Sequence, residues 1–96
     1  MVTTIIKRDG RTAEFRPEKI AEAIERAFEA CGAMQDRTVA EEIAAKVVDK
    51  IESGAIEGSP TVEGVQDLVE ESLIEAGFVQ TAKSYILYRA ERNRVR

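Results

Sequence analysis

The first segment of the chain is short, apolar and rich in β-branched residues. Val2 to Lys7 has the composition of a strand, and Arg8-Asp9-Gly10 follows it. Asp-Gly between two extended segments is one of the strongest local signals for a β-hairpin. Thr12 to Phe15 is the returning strand in this prediction. Because an isolated hairpin is only marginally stable in water, we expect it to pack against the rest of the chain.

The rest of the chain has apolar residues at the three- and four-residue spacing of amphipathic helices. Pro17 suits the first position of a helix, because the N–H that it lacks would have no intrahelical partner there. Thr38 and Glu41 have the spacing of a capping box. The predicted helices cover about 17–31, 38–53, 61–76 and 80–94, and the first three end at Gly32, Gly54 and Gly77.

These helices have apolar stripes that predict one common core. The inward residues are predicted to be Ile20, Ala23, Ile24, Ala27, Phe28 and Cys31 in the first helix, Val39, Ile43, Val47 and Ile51 in the second, Val62, Val65, Val69 and Leu73 in the third, and Ala82, Tyr85, Ile86 and Ala90 in the fourth. The predicted fold is α+β but mostly α. It is a single domain over residues 1–96, in which an N-terminal hairpin of about 2–15 caps a four-helix bundle.

Composition narrows the function classes. A net charge of −4 argues against general nucleic-acid binding, which uses a basic surface. One cysteine and no histidine exclude an internal disulfide and a conventional zinc site, so we predict no metal-ligating residues. The chain has no apolar segment near the ~20 residues of a membrane span and no signal-peptide pattern, so we expect a cytoplasmic protein without membrane contact.

Three basic residues form the most informative chemical pattern. Lys7 and Arg8 lie side by side at the end of a predicted strand, and Lys19 lies in the first turn of a predicted helix. Helix N-termini favour anions, so this arrangement suits a phosphate. Arg8 can bind an oxyanion bidentately, whereas Lys7 is a compact charge. Solvated charges beside a surface turn are the alternative, and no P-loop or Rossmann pattern decides between the two.

Three blocks of sequence resemble the ATP-cone family. The first is Ile5-Ile6-Lys7-Arg8-Asp9-Gly10-Arg11, followed by Phe15 and by Lys19-Ile20. The second is Thr61-Val62-Glu63-Gly64-Val65-Gln66-Asp67-Leu68-Val69-Glu70, and the third is Ala82-Lys83-Ser84-Tyr85-Ile86-Leu87-Tyr88-Arg89. The blocks occur in the family's order and cover nearly the whole chain.

The resemblance implies an allosteric regulatory domain rather than an enzyme. ATP-cones usually lie at the N-terminus of ribonucleotide reductases, where ATP or dATP controls activity and oligomeric state. The implied ligand is therefore ATP or dATP, with magnesium carried by the triphosphate. The implied partners are the remainder of a ribonucleotide reductase or its subunits, and a homo-oligomer is a further candidate. No catalytic residues are predicted in this chain.

The resemblance also implies which residues bind the nucleotide. Lys7 and Arg8 would contact phosphates or the base edge, Lys19 would approach phosphate, and Gln66 is a candidate for the ribose. The full set of implied site residues is Ile5, Lys7, Arg8, Phe15, Lys19, Ile20, Thr61, Val65, Gln66, Lys83 and Arg89. The apolar members would enclose base and sugar, although each also suits a core position. Thr61 also suits a helix cap, and Lys83 and Arg89 could instead be solvated or ion-paired.

Two departures from the family pattern keep other functions open. Ala13 occupies the usual acidic position, and Arg16 follows Phe15 where the family often has an acid. One alternative is an interaction or dimerisation module with a degenerate nucleotide site. Another is the cone of a reductase-gene repressor, although the cysteine-rich zinc ribbon of that host is absent from this sequence. Cys31, on an apolar stripe, is predicted to be a buried structural thiol.

Overall fold

A computed structural model of the chain describes residues 4–7, 9–54 and 60–95, with side chains as far as Glu91. In this part of the chain the elements are β1 (Thr4–Ile6), β2 (Thr12–Glu14), α1 (Pro17–Ala30), α2 (Arg37–Glu52), α3 (Val62–Glu75) and α4 (Val79–Val95). The predicted fold class, mostly helical with an N-terminal antiparallel hairpin, is confirmed.

The Asp-Gly turn closes the hairpin as the sequence predicts. Strands β1 and β2 are antiparallel, with Ile5 opposite Ala13 at the centre of the ladder. The N–H of Lys7 donates to the carbonyl of Arg11 over 2.7 Å, and that of Gly10 donates to the carbonyl of Lys7 over 3.0 Å. Gly10 has a φ of +88°, a conformation that L-residues with a side chain rarely adopt.

The four helices form a closed arrangement around one core. Helix α1 packs against α2 and α4, and α3 packs against the same two neighbours. Phe28 of α1 and Leu73 of α3 are fully buried, and Phe28 meets the half-buried ring of Phe78 edge-on at a centroid distance of 5.0 Å. The buried apolar residues are Phe15, Ile20, Ala21, Ile24, Ala27, Phe28, Ala40, Ile43, Ala44, Val47, Ile51, Val65, Leu68, Val69, Leu73, Ala82 and Tyr85.

The buried face of α4 differs from the predicted one. Ala82 and Tyr85 are buried as predicted, but Thr81 is buried as well, whereas Ile86 is 43% exposed and Ala90 is exposed. Successive residues of an α-helix lie about 100° apart around its axis. Because α4 packs through Thr81, Ala82 and Tyr85, the residue after Tyr85 turns away from the core. The inward assignment of Ile86 and Ala90 is therefore wrong.

The predicted capping box of α2 is also wrong. The helix begins at Arg37, with Asp36 at the N-cap position and no side-chain hydrogen bond to the cap, so Thr38 lies within the first turn. The Nε of Arg37 donates to the Glu41 carboxylate over 3.2 Å, and its Nη1 lies 3.2 Å from Glu25. Glu41 therefore binds a side chain four residues earlier instead of the backbone of a capping threonine.

The termini of α1 and α3 agree better with expectation. Pro17 occupies the first helical position of α1. Thr61 caps α3, and its Oγ1 accepts from the N–H of Gly64 over 3.0 Å. Cys31 lies just beyond α1 and is half-buried rather than buried, with its Sγ 3.3 Å from the hydroxyl of Thr81. The thiol thus packs at the junction of α1 and α4.

Candidate functional site

The hairpin is joined to the beginning of α3 by backbone hydrogen bonding. The N–H of Ile6 donates to the carbonyl of Pro60 over 2.8 Å, and Ile6 forms a parallel bridge with Thr61. Residues 60–61 therefore extend the edge of β1 before the chain enters the helix. This connection brings the turn of the hairpin beside the N-terminus of α3.

A cavity of about 410 Å³ lies at this junction. Its wall consists of hairpin residues on one side and the first turn of α3 on the other: Ile6, Lys7, Gly10, Thr61, Val62 and Glu63. Lys7 contributes an exposed ammonium group, and Glu63 contributes a carboxylate. The cavity is thus an open cleft whose wall combines charged groups with the apolar residues Ile6 and Val62.

The N-terminus of α3 gives one side of this cavity the properties of an anion site. The first N–H groups of a helix lack intrahelical acceptors and carry partial positive charge. Thr61 uses its Oγ1 as an acceptor for Gly64, which leaves its hydroxyl hydrogen available to donate. Glu63 then presents its backbone N–H at the second helical position, whereas the parallel bridge of Ile6 with Thr61 directs the N–H of Val62 toward the carbonyl of Ile6. Together with Lys7, these donors suit a phosphate.

Among the predicted site residues that the structure describes, Lys7 and Thr61 line this cavity. Arg8 lies outside the described residues. Phe15, Ile20 and Val65 are core residues, and Ile5 is half-buried against that core. These positions confirm their packing role.

The other predicted cations lie outside the cavity wall. Lys19 and Lys83 are exposed on α1 and α4. Arg89 lies between α3 and α4, where its Nη1 donates to Asp67 over 2.9 Å and to Glu70 over 2.8 Å. Its side chain is only 15% exposed. Burial alone would lower the pKa of Arg89, but the hydrogen bonds to Asp67 and Glu70 outweigh this and raise it. Arg89 is therefore ion-paired. Ion pairing is one of the two alternatives to nucleotide contact that the sequence leaves open for this residue.

Gln66 lies one helical turn beyond Val62 on the same face of α3. Its side-chain Oε1 is buried and has no hydrogen-bond donor within the described part of the chain. A buried acceptor without a donor costs about 1–3 kcal/mol. An additional donor from a bound molecule would remove this cost.

Arg16, one of the two departures from the family pattern, makes local ion pairs. The Nε of Arg16 lies 2.9 Å from Glu18 and 3.7 Å from Glu14. A hydrogen bond from its own backbone N–H, and then that of Arg16, lower the pKa of Glu18. Arg16 is also the N-cap residue of α1 but makes no side-chain cap bond. The guanidinium of Arg16 is thus paired with its acidic neighbours.

Sequence reasoning did not include four residues of the cavity wall: Ile6, Gly10, Val62 and Glu63. The signal for Val62 and Glu63 was available, because both follow a capping threonine and must lie in the first helical turn. The sequence places Gly10 in the turn, but it does not show which face of that turn meets α3. The pairing of Ile6 with Thr61 is a long-range contact that local patterns do not encode.

Two further observations concern metals and membranes. Among the described side chains, no group of three or more His, Cys, Asp or Glu residues is placed to hold a metal ion. In the same part of the chain, none of the helices combines the length and apolarity needed to cross a bilayer.

Comparison with known proteins gives the family. The ATP cone domain model matches residues 3–94. The chain is 39% identical over 101 residues to the ribonucleoside-diphosphate reductase subunit alpha of Chlamydia pneumoniae, covering 99% of this chain and 10% of that protein. It is 38% identical over 103 residues to the vitamin B12-dependent ribonucleoside-diphosphate reductase of Thermoplasma acidophilum, covering 100% of this chain and 13% of that protein.

A more distant relative is the anaerobic ribonucleoside-triphosphate reductase of Haemophilus influenzae. It is 32% identical over 92 residues, which cover 96% of this chain and 13% of that protein. The chain thus spans only about a tenth of the length of the curated relatives that it matches. Because the family match extends over nearly the whole hairpin-and-bundle fold, this chain belongs to the ATP-cone family.

Proposed function

We propose that this domain binds ATP or dATP and thereby controls the activity and oligomeric state of a ribonucleotide reductase. The observation that carries the proposal is the cavity in which Lys7 faces the N-terminus of α3. Support also comes from the family and from relatives that are named as reductases of three kinds. We propose no catalytic residue, because the domain acts by changing the arrangement of a larger protein.

The phosphates occupy the polar side of the cavity in this proposal. The backbone N–H groups at the start of α3 and the hydroxyl of Thr61 donate to phosphate oxygens, and Lys7 balances their charge. Magnesium arrives bound to the triphosphate. Several ligands of the magnesium ion are then water molecules and phosphate oxygens. Arg8 and Lys19 add positive charge from the turn and from α1.

The nucleoside part lies against the apolar side, next to Ile5 and the core residues Phe15, Ile20 and Val65. These residues position the wall of the site by packing. Gln66 accepts a hydrogen bond from a ribose hydroxyl through Oε1, one of the two buried side-chain oxygens without a hydrogen-bond partner in the described part of the chain. Lys83 contributes to the positive potential of α4.

Calorimetric titration of the purified chain with ATP and with dATP, both with magnesium, tests this proposal. We expect saturable binding that Lys7→Ala weakens at least tenfold, a loss of about 1.4 kcal/mol. Lys46→Ala is the matched control, since Lys46 is an exposed lysine of α2 outside the cavity wall. Equal affinity of the two variants, or no heat at millimolar nucleotide, would contradict the proposal.

A second candidate is an interaction module that has lost nucleotide binding. The observation that favours it is the outer face of α4, where Val79, Ile86 and Leu87 are 47%, 43% and 72% exposed. Light scattering separates the two functions. Self-association that is insensitive to nucleotide, together with no calorimetric signal, would support the interaction module.

A further inference from the structure

The contact between α3 and α4 contains a polar cluster that the cavity does not include. We call Asp67, Glu70 and Arg89 the α3–α4 ion cluster. A short turn over residues 76–78 joins the two helices, and Arg89 lies opposite Asp67 and Glu70. The C-terminal half of α4 therefore returns toward the beginning of α3, where the cavity is located.

This cluster has more negative than positive charge. One guanidinium faces two carboxylates, and the same Nη1 donates to both of them. The phenol of Tyr85 is buried next to the cluster, which reduces the solvent around it. Arg89 is thus a largely buried cation paired with two carboxylates, of which that of Asp67 is 71% exposed.

The cluster lies close to the cavity along α3. Asp67 lies one helical turn after Glu63, which is in the cavity wall, on the same face of α3, and at 1.5 Å per residue these four steps are about 6 Å along the helix axis. A guanidinium binds phosphate with the same bidentate geometry that it uses for carboxylate. A triphosphate at the start of α3 is therefore an alternative partner for Arg89.

We propose that the α3–α4 ion cluster is an autoinhibitory latch: Asp67 and Glu70 hold Arg89 on α3 in the absence of nucleotide, and the triphosphate competes with them for it. This inference rests on the proposed function, because it assigns a regulatory role to a residue next to the same site. Binding then exchanges carboxylate partners for phosphate and removes an ionic link between α3 and α4. In the nucleotide-bound domain, α4 is consequently held to α3 by one ionic link fewer.

The latch predicts that two substitutions of acidic residues increase the affinity for ATP. Asp67→Asn and Glu70→Gln each remove a competitor for Arg89, so each should tighten ATP binding by roughly fivefold at low salt, the scale of a partly exposed ion pair. Glu71→Gln is the matched control, since Glu71 lies on the same helix but pairs with Lys50 of α2. It removes the same charge without touching Arg89.

The decisive experiment repeats the titrations of Asp67→Asn and Glu70→Gln in an Arg89→Gln background, with circular dichroism to confirm that every variant is folded. We expect the gain in affinity to disappear there, because no guanidinium remains to be released. Unchanged or weakened binding in the single variants would overturn the latch. An equal gain in the Arg89→Gln background, or in Glu71→Gln, would overturn it in favour of general charge repulsion. Absence of binding by the unmodified chain would instead refute the proposed function itself.

Discussion

Ile6 and Pro60 connect the hairpin to the helical bundle, through an N–H···O=C hydrogen bond of 2.8 Å. The bond pairs β1 with residues 60–61, so that the strand that precedes Lys7 runs beside the chain that enters α3. A lysine beside a hairpin turn and a helix N-terminus on a bundle are common separately. Their juxtaposition, which this bond fixes, is what makes the cavity a candidate phosphate site.

The cap of α3 contributes to stability as well as to the cavity. Thr61→Ala removes the acceptor for the Gly64 N–H, and we expect it to lower the free energy of unfolding by about 1 kcal/mol. Thr61→Ser keeps the hydroxyl and should retain most of that stability. Urea denaturation of the three proteins measures the difference. Equal losses in both variants would show that the γ-methyl group, rather than the cap, stabilises the helix.

The core and the outer face of α4 should respond differently to the same substitution. Leu73 is fully buried, so Leu73→Ala should cost about 2–5 kcal/mol through lost burial and the cavity that remains. Leu87 is 72% exposed, so Leu87→Ala should change stability by less than about 0.5 kcal/mol. Thermal unfolding followed by circular dichroism compares them. A large cost for Leu87→Ala would place that side chain in a contact that the isolated domain makes with itself or with a second copy.

Ser72 has a buried hydroxyl oxygen without a hydrogen-bond partner in the described part of the chain. Removing an unpaired buried polar group relieves its desolvation cost. Ser72→Ala should therefore leave stability unchanged or raise it by up to about 1 kcal/mol. Ser72→Val, which adds volume to the same position, is the comparison that separates polarity from packing. A loss above about 1 kcal/mol in Ser72→Ala would mean that the hydroxyl is satisfied in solution.

An ion pair between α2 and α3 should make stability depend on pH in the acid range. Lys50 Nζ lies 2.8 Å from Glu75, and this hydrogen bond lowers the pKa of Glu75 below its usual value of 4.5. A depressed carboxyl pKa stabilises the fold above pH 4.5 and loses that contribution as pH falls through the lower, folded-state value. We expect unfolding curves recorded between pH 6 and about pH 3 to show this loss.

Glu75→Gln identifies the source of that loss. The variant should be slightly less stable than the parent at pH 6, and the gap should close as the pH falls below 4.5 and through the lower, folded-state pKa of Glu75. Glu52→Gln serves as the control, since Glu52 is another exposed carboxylate, at the last position of α2. A gap that stays constant with pH would show that Glu75 acts by packing.

The sequence predicts the elements of this fold better than their ends and faces. Asp9-Gly10 is a local signal with a local cause, and the hairpin forms as expected. The capping-box prediction for α2 is wrong because Arg37 binds Glu41, an interaction that the capping-box spacing does not reveal. Two of the four inward residues predicted for α4, Ile86 and Ala90, are wrong because the register of packing depends on the tertiary arrangement.

The site was predicted in the same uneven way. Lys7 and Thr61 could be predicted as cavity residues because the family resemblance supplied both blocks. The pairing of Arg89 with Asp67 and Glu70 depends on how α4 folds back on α3, over a separation of about twenty residues that no local pattern specifies. Gly10 has no side chain and contributes only backbone atoms to the cavity wall, so side-chain chemistry gives no signal for it.

The most direct test of the account locates the nucleotide by NMR. Amide chemical shifts of the chain should be recorded with increasing ATP and magnesium. If the cavity between the hairpin and α3 is the site, the largest changes will occur at Lys7, Gly10, Val62 and Glu63, with smaller ones at Arg89. Saturable changes confined to other surfaces, with these amides unmoved, would contradict the central claim that the junction of hairpin and α3 binds the nucleotide.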